Sequence, residues 1–255
     1  MTICASVKVR DGLVLGTDSM TQIWGQNERG QRGIIKAYRN ARKLFQLSTL
    51  PIGVMTYGIG NLGSRSIQGL VRDFSSDYTG NADVKSASQK LYDFFRAAYQ
   101  EQFGDADEAR LGFFVAGYSR EKPFPEEWEF LLPRDQESLQ VRSIDAFGAS
   151  WRGVSIPFTR LYQGYDPRTV EELTKLGVSE EDINKTVKRW ASPVVYDAMP
   201  VQDAVNFTAF ILRTTIGLSS FEIGDPSCGG PLQIAAILPD RGFSWIREPV
   251  LTVTG

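Results

Sequence analysis

The sequence predicts an α+β protein built on antiparallel β-sheets. The chain opens with a hairpin pattern, and the later strand and helix patterns come in groups. One-by-one alternation would instead indicate a doubly wound parallel sheet. The 255 residues are ample for one large core, and no internal repeat or Pro-rich linker divides the sequence. We therefore expect one domain that covers 1–255.

The N-terminal region predicts two strand pairs. Residues 2–9 are rich in β-branched types, Asp11-Gly12 is a hairpin signal, and 13–18 form the returning strand. Residues 20–42 are predicted to form a long loop or weak strand. The second strand pair follows, with strands over 43–47 and 52–57.

Helical periodicity and β-rich runs predict the remaining elements. Asp83 is a candidate N-cap for one of the helices. The predicted helices cover 61–78, 83–103, 151–162, one or two helices within 168–190, and 200–218. The predicted strands cover 111–118, 127–132, 138–147, 231–238 and 243–253.

Composition excludes several kinds of chemistry. The sequence has no histidine, so no Ser-His or Cys-His nucleophile pair can form. Cys4 and Cys228 are too few for a zinc knuckle, and we expect neither a metal nor a cofactor. The net charge of −2 argues against a nucleic-acid partner. The N-terminus lacks a signal-peptide pattern and no apolar run is long enough for a membrane span, so we expect a cytoplasmic protein without a membrane partner.

Residues 58–63 match the Gly-x-Gly-x-x-Gly pattern of dinucleotide-binding sites. The context argues against such a site, because a second parallel strand and an acidic residue about 20 positions on are required, whereas the next segment is helical. We interpret the glycines as a tight turn between a strand and a helix.

Thr2 carries the most specific chemical signal. Aminopeptidases commonly remove Met before a small residue, and loss of Met1 would leave Thr2 with a free α-amine. Because that amine has an ordinary pKa of about 7.7–8.0, it can accept the proton of the threonine hydroxyl. Nucleophile and base then lie on one residue, and no histidine is needed.

Such an amine is helped by a nearby ammonium, which lowers its pKa, and by a carboxylate that holds the ammonium. Asp18 ends the strand that pairs with the Thr2 strand, and Lys43 begins the third strand. Each also has an ordinary structural interpretation, Asp18 as a turn cap and Lys43 as a solvated lysine. Spacing alone leaves both open and favours the structural one.

Five stretches, taken in order, resemble proteasome β-type subunits and their bacterial proteasome-like relatives of Anbu or HslV type. In the first, the aspartate follows the threonine by 18 − 2 = 16 positions, as in that family. The stretches are Thr2 to Ser19, Lys43 to Leu47, Ile52 to Gly58, Phe147 to Gly153 and Asp225 to Leu232.

The resemblance implies a four-layer αββα sandwich, the N-terminal-nucleophile hydrolase fold, with insertions at about 20–42 and 165–195. It implies a threonine peptidase in a homo-oligomeric ring that acts on polypeptides or peptides; no ATPase or other regulator is identified. The implied roles are nucleophile and base for Thr2, tuning of the amine by Lys43, fixing of the lysine by Asp18, oxyanion binding at Gly58, and support of the amine by Ser150 and Asp225.

Several positions depart from the family pattern. Met20 replaces an arginine, and Cys228 replaces a serine, so that Cys228 is either a buried filler or a direct participant. The Asp18-to-Lys43 interval is nine residues longer than usual, which leaves Lys36 as a less favoured alternative. Counting from Lys43 places the oxyanion position at Tyr57, one residue before Gly58. The 20–42 insertion is either a lid, a subunit contact or a plain loop. A non-catalytic ring subunit and an amidase for small amides remain alternatives.

Overall fold

The computed structural model describes residues 2–26, 30, 32–104 and 109–251. Within these residues the chain forms strands and helices in a mixed order. The strands are β1 Ile3–Val9, β2 Gly12–Thr17, β3 Thr21–Gln26, β4 Arg32–Tyr38, β5 Leu44–Gln46, β6 Ile52–Gly58, β7 Asn61–Leu62, β8 Arg65–Ser66, β9 Leu111–Gly117, β10 Glu126–Leu132, β11 Leu139–Gln140, β12 Gly148–Gly153, β13 Gln233–Leu238 and β14 Gly242–Arg247. The helices are α1 Ile67–Asp77, α2 Val84–Phe103, α3 Ile156–Gln163, α4 Arg168–Lys175, α5 Glu180–Val187 and α6 Val201–Ser219.

Two five-stranded antiparallel sheets organise the molecule. The first has the strand order β12-β1-β2-β13-β14, and the second has the order β11-β10-β9-β6-β5. The pairs β3-β4 and β7-β8 form separate two-stranded sheets. The expected antiparallel α+β class is thereby confirmed.

Three clusters of buried apolar side chains connect these elements. One joins α1 and α2 to the second sheet, and another joins α3 and α6 to the first sheet. The third receives side chains from both sheets, including Leu15 of β2, Met55 of β6 and Phe114 of β9. Burial of these faces is the main favourable term in the folding free energy.

Most predicted elements are present, and their local signals explain why. The two N-terminal strand pairs are confirmed as β1-β2 and β5-β6. Asp83 caps α2, since its Oδ1 accepts a hydrogen bond of 2.6 Å from the Ser86 amide. The 168–190 segment forms the two short helices α4 and α5, and the 200–218 helix is confirmed as α6. Both C-terminal strands are present, but the last one ends at Arg247 instead of 253.

Three predicted segments are wrong in part. The predicted helix 151–162 begins as strand β12, because residues 148–153 pair with β1 along their whole length, and α3 begins only at Ile156. The predicted helix 61–78 begins with the β7-β8 hairpin. The predicted strand 138–147 is reduced to β11. The start of the predicted helix 151–162 is a strand because it pairs with the distant strand β1. Helical periodicity cannot detect such pairing.

The long loop or weak strand expected over 20–42 is a hairpin. Its strands β3 and β4 pair from Thr21↔Tyr38 to Gln26↔Arg32. At its base, the Ala41 amide donates to the Ser19 carbonyl at 2.8 Å, so the hairpin leaves and rejoins the fold at one point. None of the described helices is both long and apolar enough to cross a membrane.

Candidate active site

Thr2 lies at the start of β1, in the interior of the first sheet. Its carbonyl accepts a hydrogen bond of 2.7 Å from the Val154 amide, just after β12. The neighbouring strand β2 ends at Thr17, opposite Cys4, so Asp18 lies beside Ile3. The Asp18 amide donates to the Ile3 carbonyl at 3.1 Å. The hairpin register therefore brings Asp18 to the threonine, as the family resemblance implied.

Lys43 connects the two residues. Its Nζ donates to the Thr2 Oγ1 at 2.8 Å and to the Asp18 Oδ1 at 2.9 Å. It also donates to the Met20 carbonyl. All three side chains are buried, with exposed fractions of 3% for Thr2, 0% for Asp18 and 6% for Lys43. A buried ammonium and a buried carboxylate are tolerated because each satisfies the other.

The Asp18 carboxylate is fixed by the backbone as well as by Lys43. Its Oδ1 accepts from the Ile3 amide at 3.2 Å, and its Oδ2 accepts from the amides of Met20 at 3.2 Å and Gly229 at 2.9 Å. These donors stabilise the ionised carboxylate and hold its orientation. The Gly229 contact also brings the 225–232 stretch to the site.

Gln233 of β13 fixes the backbone that carries the lysine. Its Oε1 accepts from the amides of Lys43 at 3.0 Å and Leu44 at 3.2 Å, and its Nε2 donates to the Ala41 carbonyl at 2.7 Å. A side chain of the first sheet thus positions the start of β5 in the second. Sequence reasoning missed Gln233, and the only available signal was a polar residue in an otherwise apolar strand.

A cleft of about 790 Å³ opens onto these groups. Thr2 and Lys43 line it, together with the end of β6 at Gly58 and the first residues of β3. The Thr2 hydroxyl therefore adjoins space that a substrate could occupy. Among the described residues, no group of three or more Cys, Asp or Glu side chains is placed to hold a metal ion.

The ladder geometry shows which of the two candidate amides, that of Tyr57 or that of Gly58, faces away from β9. The Ile59 amide bonds to the Arg110 carbonyl across β9, and the alternation of an antiparallel ladder makes Tyr57↔Gly112 the next hydrogen-bonded pair. The Tyr57 carbonyl then points toward β9, so the trans peptide directs the Gly58 amide the opposite way. On that side lies the chain that leads into β5. The register between β5 and β6, continued by two residues, places Ala41 opposite Gly58, and Ala41 also lines the cleft.

Position 58 also requires glycine. Its φ is +100°, which other residues rarely adopt, and a Cβ there would lie 2.1 Å from the Arg110 carbonyl oxygen. The Gly-x-Gly-x-x-Gly match thus ends β6 and enters the β7-β8 hairpin. Both neighbours of β6 are antiparallel, so the parallel pair of a dinucleotide site is absent at this strand.

Cys228 is a buried member of the apolar cluster under α6, with 2% of its surface exposed. Burial, assisted by the nearby Asp18 carboxylate, raises the pKa of its thiol to about 12. The thiol is therefore protonated near neutral pH and a poor nucleophile. This supports the interpretation as a filler beside the site.

One of the expected site residues lies elsewhere. Ser150 pairs with Ser6, four residues along β1 from Thr2, and its hydroxyl contacts Arg142. At about 3.3 Å per strand residue, that separation is about 13 Å. Asp225 is exposed in the loop after α6, on the stretch whose Gly229 amide contacts Asp18. The structure therefore brings together Thr2, Asp18 and Lys43, places Gly58 and Cys228 nearby, and does not bring in Ser150. Lys36 lies in β4.

Val154 is a further residue that sequence reasoning missed. The turn after β12 reaches Thr2 through the Val154 amide, and Gly153 has a φ of +83° with no room for a Cβ against the Thr2 carbonyl. The Phe147 to Gly153 stretch was noted in the sequence. Ser150 was assigned to the site from it, whereas Gly153 is the residue that adjoins Thr2.

Comparison with solved structures finds 284 similar chains, among them two that match over nearly all of this chain. The Anbu (Gly-1) mutant from Hyphomicrobium sp. strain MC1 has a TM-score of 0.60 and 14% identity, over 97% of this chain and 85% of that one. Anbu (ancestral beta-subunit) from Yersinia bercovieri has a TM-score of 0.56 and 15% identity, over 96% and 87%. No protein-family model and no curated protein matches the sequence significantly.

These matches show that the chain has the class of fold found in proteasome-like β-subunits. More particularly, it has the fold of Anbu, which confirms at the level of architecture the resemblance that the sequence motifs indicated.

Proposed function

We propose that this protein is a proteasome-like threonine peptidase whose nucleophile is Thr2. The observation that carries the proposal is the Lys43 ammonium, which bonds both the Thr2 hydroxyl and the Asp18 carboxylate on the floor of an open cleft. A lysine whose only role was to stabilise the fold would not have to contact a hydroxyl group that adjoins a cleft. The fold match to Anbu supports the same assignment.

The first step requires removal of Met1. The freed Thr2 amine then lies beside the Lys43 ammonium, which lowers the pKa of the amine by like-charge repulsion and keeps it neutral near pH 7. The amine takes the proton of Oγ1 while Oγ1 forms a bond to the carbonyl carbon of the substrate amide. The Gly58 amide stabilises the oxyanion that develops.

Collapse of this intermediate breaks the C–N bond. The leaving amine takes the proton held by the Thr2 amine, and an ester remains on Oγ1. Water then attacks the ester carbon, gives a proton to the same amine, and releases the carboxylic acid as the proton returns to Oγ1. Each step balances without a metal or cofactor.

We also propose a wider architecture for this activity. The three apolar clusters support a four-layer order of helices, sheet, sheet and helices within one domain covering 1–255. The exposed apolar side chains Phe210, Phe221 and Ile223, on α6 and the loop after it, together with the fold of a β-subunit, support a homo-oligomeric ring that acts on polypeptides.

One observation favours a second function, that of a non-catalytic ring subunit. Of the expected supports of the amine, Ser150 lies away from Thr2 and Asp225 is exposed, so the amine of a processed chain has fewer fixed partners than the peptidase hypothesis predicted.

Intact-mass spectrometry and a Thr2→Ala variant separate the two functions. For the peptidase we expect a mature mass that lacks Met1, cleavage of fluorogenic peptides, and a loss of rate of at least about 10³-fold in Thr2→Ala with unchanged assembly. Retained Met1, or equal rates in the two proteins, would eliminate the Thr2 mechanism and leave the ring subunit. Size-exclusion chromatography with light scattering measures the assembly.

A further inference from the structure

The hairpin of strands β3 and β4 starts and ends beside the candidate active site. Strand β3 begins shortly after Asp18, and β4 ends shortly before Lys43. Thr21, the first residue of β3, lines the cleft, and its Oγ1 would lie 2.8 Å from a Cβ placed at Gly60. The hairpin therefore begins as one wall of the cleft, against the turn that follows β6.

One side of the hairpin continues the surface of the cleft outward. In the β3-β4 register, Thr21 lies opposite Tyr38 and Ile23 lies opposite Lys36. Side chains of directly opposite residues share one side of a sheet. The Lys36 ammonium lies over the Tyr38 ring at 5.9 Å, which agrees with this placement. Both Thr21 and Ile23 line the cleft, so the side that carries Tyr38 is the side that the cleft uses.

Ile35 extends the same side toward the tip of the hairpin. The register between β3 and β4 shifts at this position, where Ile35 is the extra residue of β4. A Cβ placed at Gly25 would lie 2.1 Å from the Ile35 Cδ1. Gly25 follows Ile23 by two positions and therefore shares its side of the strand. We call the surface formed by Ile23, Ile35 and Tyr38 the hairpin face.

The hairpin face is apolar and open to solvent. The exposed fractions are 47% for Ile23, 61% for Ile35 and 53% for Tyr38. Large apolar side chains that are exposed together mark sites of interaction. A two-stranded hairpin is also only marginally stable by itself, so a ligand that covered this face would stabilise it.

The position of the face indicates what covers it. The opposite side of β3 is tied to the protein, because the Gln22 Nε2 donates to the Pro226 carbonyl at 2.7 Å. The hairpin face itself begins at Ile23, inside the cleft lining. A ligand that leaves the cleft along β3 meets this face directly, whereas a second copy of the chain seated on it would also cover the cleft at Ile23.

We infer that the hairpin face binds apolar side chains of a polypeptide whose cleavage site lies in the cleft. The inference rests on the proposed function in taking a polypeptide as the ligand. Ile35 lies beside Gly25, four residues along β3 from Thr21, which is about 13 Å at 3.3 Å per residue. An extended ligand needs about four residues to cover that distance. The face therefore contacts residues remote from the scissile bond and favours long apolar segments.

The test measures binding, so that it does not depend on turnover. Two fluorescein-labelled peptides of about 12 residues, long enough to span the cleft and the face, have equal charge and carry either Leu or Ser at alternate positions. They are titrated into the Thr2→Ala protein, and fluorescence anisotropy gives each Kd. We expect the Leu peptide to bind about fivefold more tightly than the Ser peptide, because it buries apolar area on the face.

Two matched variants in the Thr2→Ala background locate the effect. Ile35→Thr keeps a β-branched residue and should remove most of the preference for the Leu peptide. Ile246→Thr makes the same change in β14, at a residue with 53% exposure outside the cleft lining, and should keep the preference. Size-exclusion chromatography with light scattering on both variants reports whether the face contacts a second copy.

Several results would overturn the inference. They are equal affinities for the two peptides, no binding of either peptide, an undiminished Leu preference in Ile35→Thr, and an equal loss of the preference in Ile246→Thr. A smaller assembly in Ile35→Thr would also overturn it, because the face would then be a contact between subunits. A Leu preference that depends on Ile35, together with a wild-type protein that cleaves neither peptide, would instead refute the proposed function alone.

Discussion

Strand β1 carries two buried polar clusters, and their surroundings differ. At its start, Thr2 meets the Lys43–Asp18 pair. At its other end, the Ser6 hydroxyl donates to Glu127 at 2.5 Å, and Glu127 pairs with Arg142. Both clusters hold a buried carboxylate and a cation, and the second has a further buried cation in Lys8.

The difference lies in access. Thr2 and Lys43 line the cleft, whereas Ser6, Lys8 and Glu127 do not. The Lys8 ammonium instead donates to the Ile144 carbonyl at 2.7 Å and so fixes the loop before β12. Burial lowers the pKa of Lys8. Buried charge therefore does not by itself identify a reactive site; a hydroxyl at an open cleft beside the charge does.

The largest effect should come from removing the lysine of each cluster. Lys43→Met should lower kcat/KM for peptide hydrolysis by about 10²-fold or more, because the Thr2 amine loses its tuning cation. Lys8→Met should keep kcat/KM within about twofold and lower the Tm, because the Ser143 and Ile144 carbonyls lose their donor at about 0.5–1.5 kcal/mol.

Steady-state kinetics and thermal unfolding on both variants check this contrast. A similar loss of kcat/KM in Lys8→Met would break the distinction between the clusters, since the second cluster would then also support the reaction.

Replacing a glycine near each cluster by alanine should have a smaller effect on stability and hydrolysis. Gly58→Ala places a Cβ 2.1 Å from the rigid Arg110 carbonyl at a φ of +100°, and we expect a loss of about 1–3 kcal/mol together with reduced hydrolysis. Gly148→Ala, at a φ of +157°, places a Cβ 2.2 Å from the Arg142 Nη1, which is the end of a side chain and not rigid backbone. We expect Gly148→Ala to be the more stable and to retain hydrolysis. Urea unfolding and kinetics measure both, and the opposite order of stability would contradict the geometry.

The last prediction concerns how the free energy of unfolding depends on pH. The two cysteines and Lys8 contribute to this dependence with opposite signs. Burial raises the pKa of Cys4 and Cys228 to about 12, so between pH 9 and 12 the folded state keeps protons that the unfolded state loses. Their contribution makes the free energy of unfolding fall with rising pH, by at most about 1.4 kcal/mol per pH unit for each cysteine. Lys8 has a lowered pKa, so it contributes a rise with pH below 10.5.

Urea titrations across this range should show that Cys228→Ala flattens the fall, and that Lys8→Met removes part of the rise. An unchanged slope in Cys228→Ala would contradict a raised pKa of the Cys228 thiol in the folded protein.

The sequence predicted the parts of the site that depend on local register. The turn at Asp11-Gly12 fixes how Asp18 meets the Thr2 strand, so the interval between them was informative. Ser150 was assigned to the site by the family resemblance alone, and only the pairing of β12 with β1 reveals that it lies beside Ser6 and where Gly153 and Val154 lie. The cytoplasmic location stays a prediction.

Apart from the contact of Lys43 with Thr2 and Asp18, which the family resemblance implied, contacts between the sheets could not be predicted. Gln233 is 190 residues from Lys43, and no periodicity links them. The directions of the Tyr57 and Gly58 amides likewise follow only from the ladder to β9, which counting along the chain does not reveal.

The clamp by Gln233 also makes the geometry of the candidate site depend on segments that are far apart in the chain. Gln233 begins β13, which lies between β2 and β14. Until β13 inserts, the hydrogen bonds from Gln233 to the amides of Lys43 and Leu44 and the Gly229 donor to Asp18 are missing. The arrangement of Lys43 and Asp18 at Thr2 is therefore completed only when β13 takes its place in the first sheet.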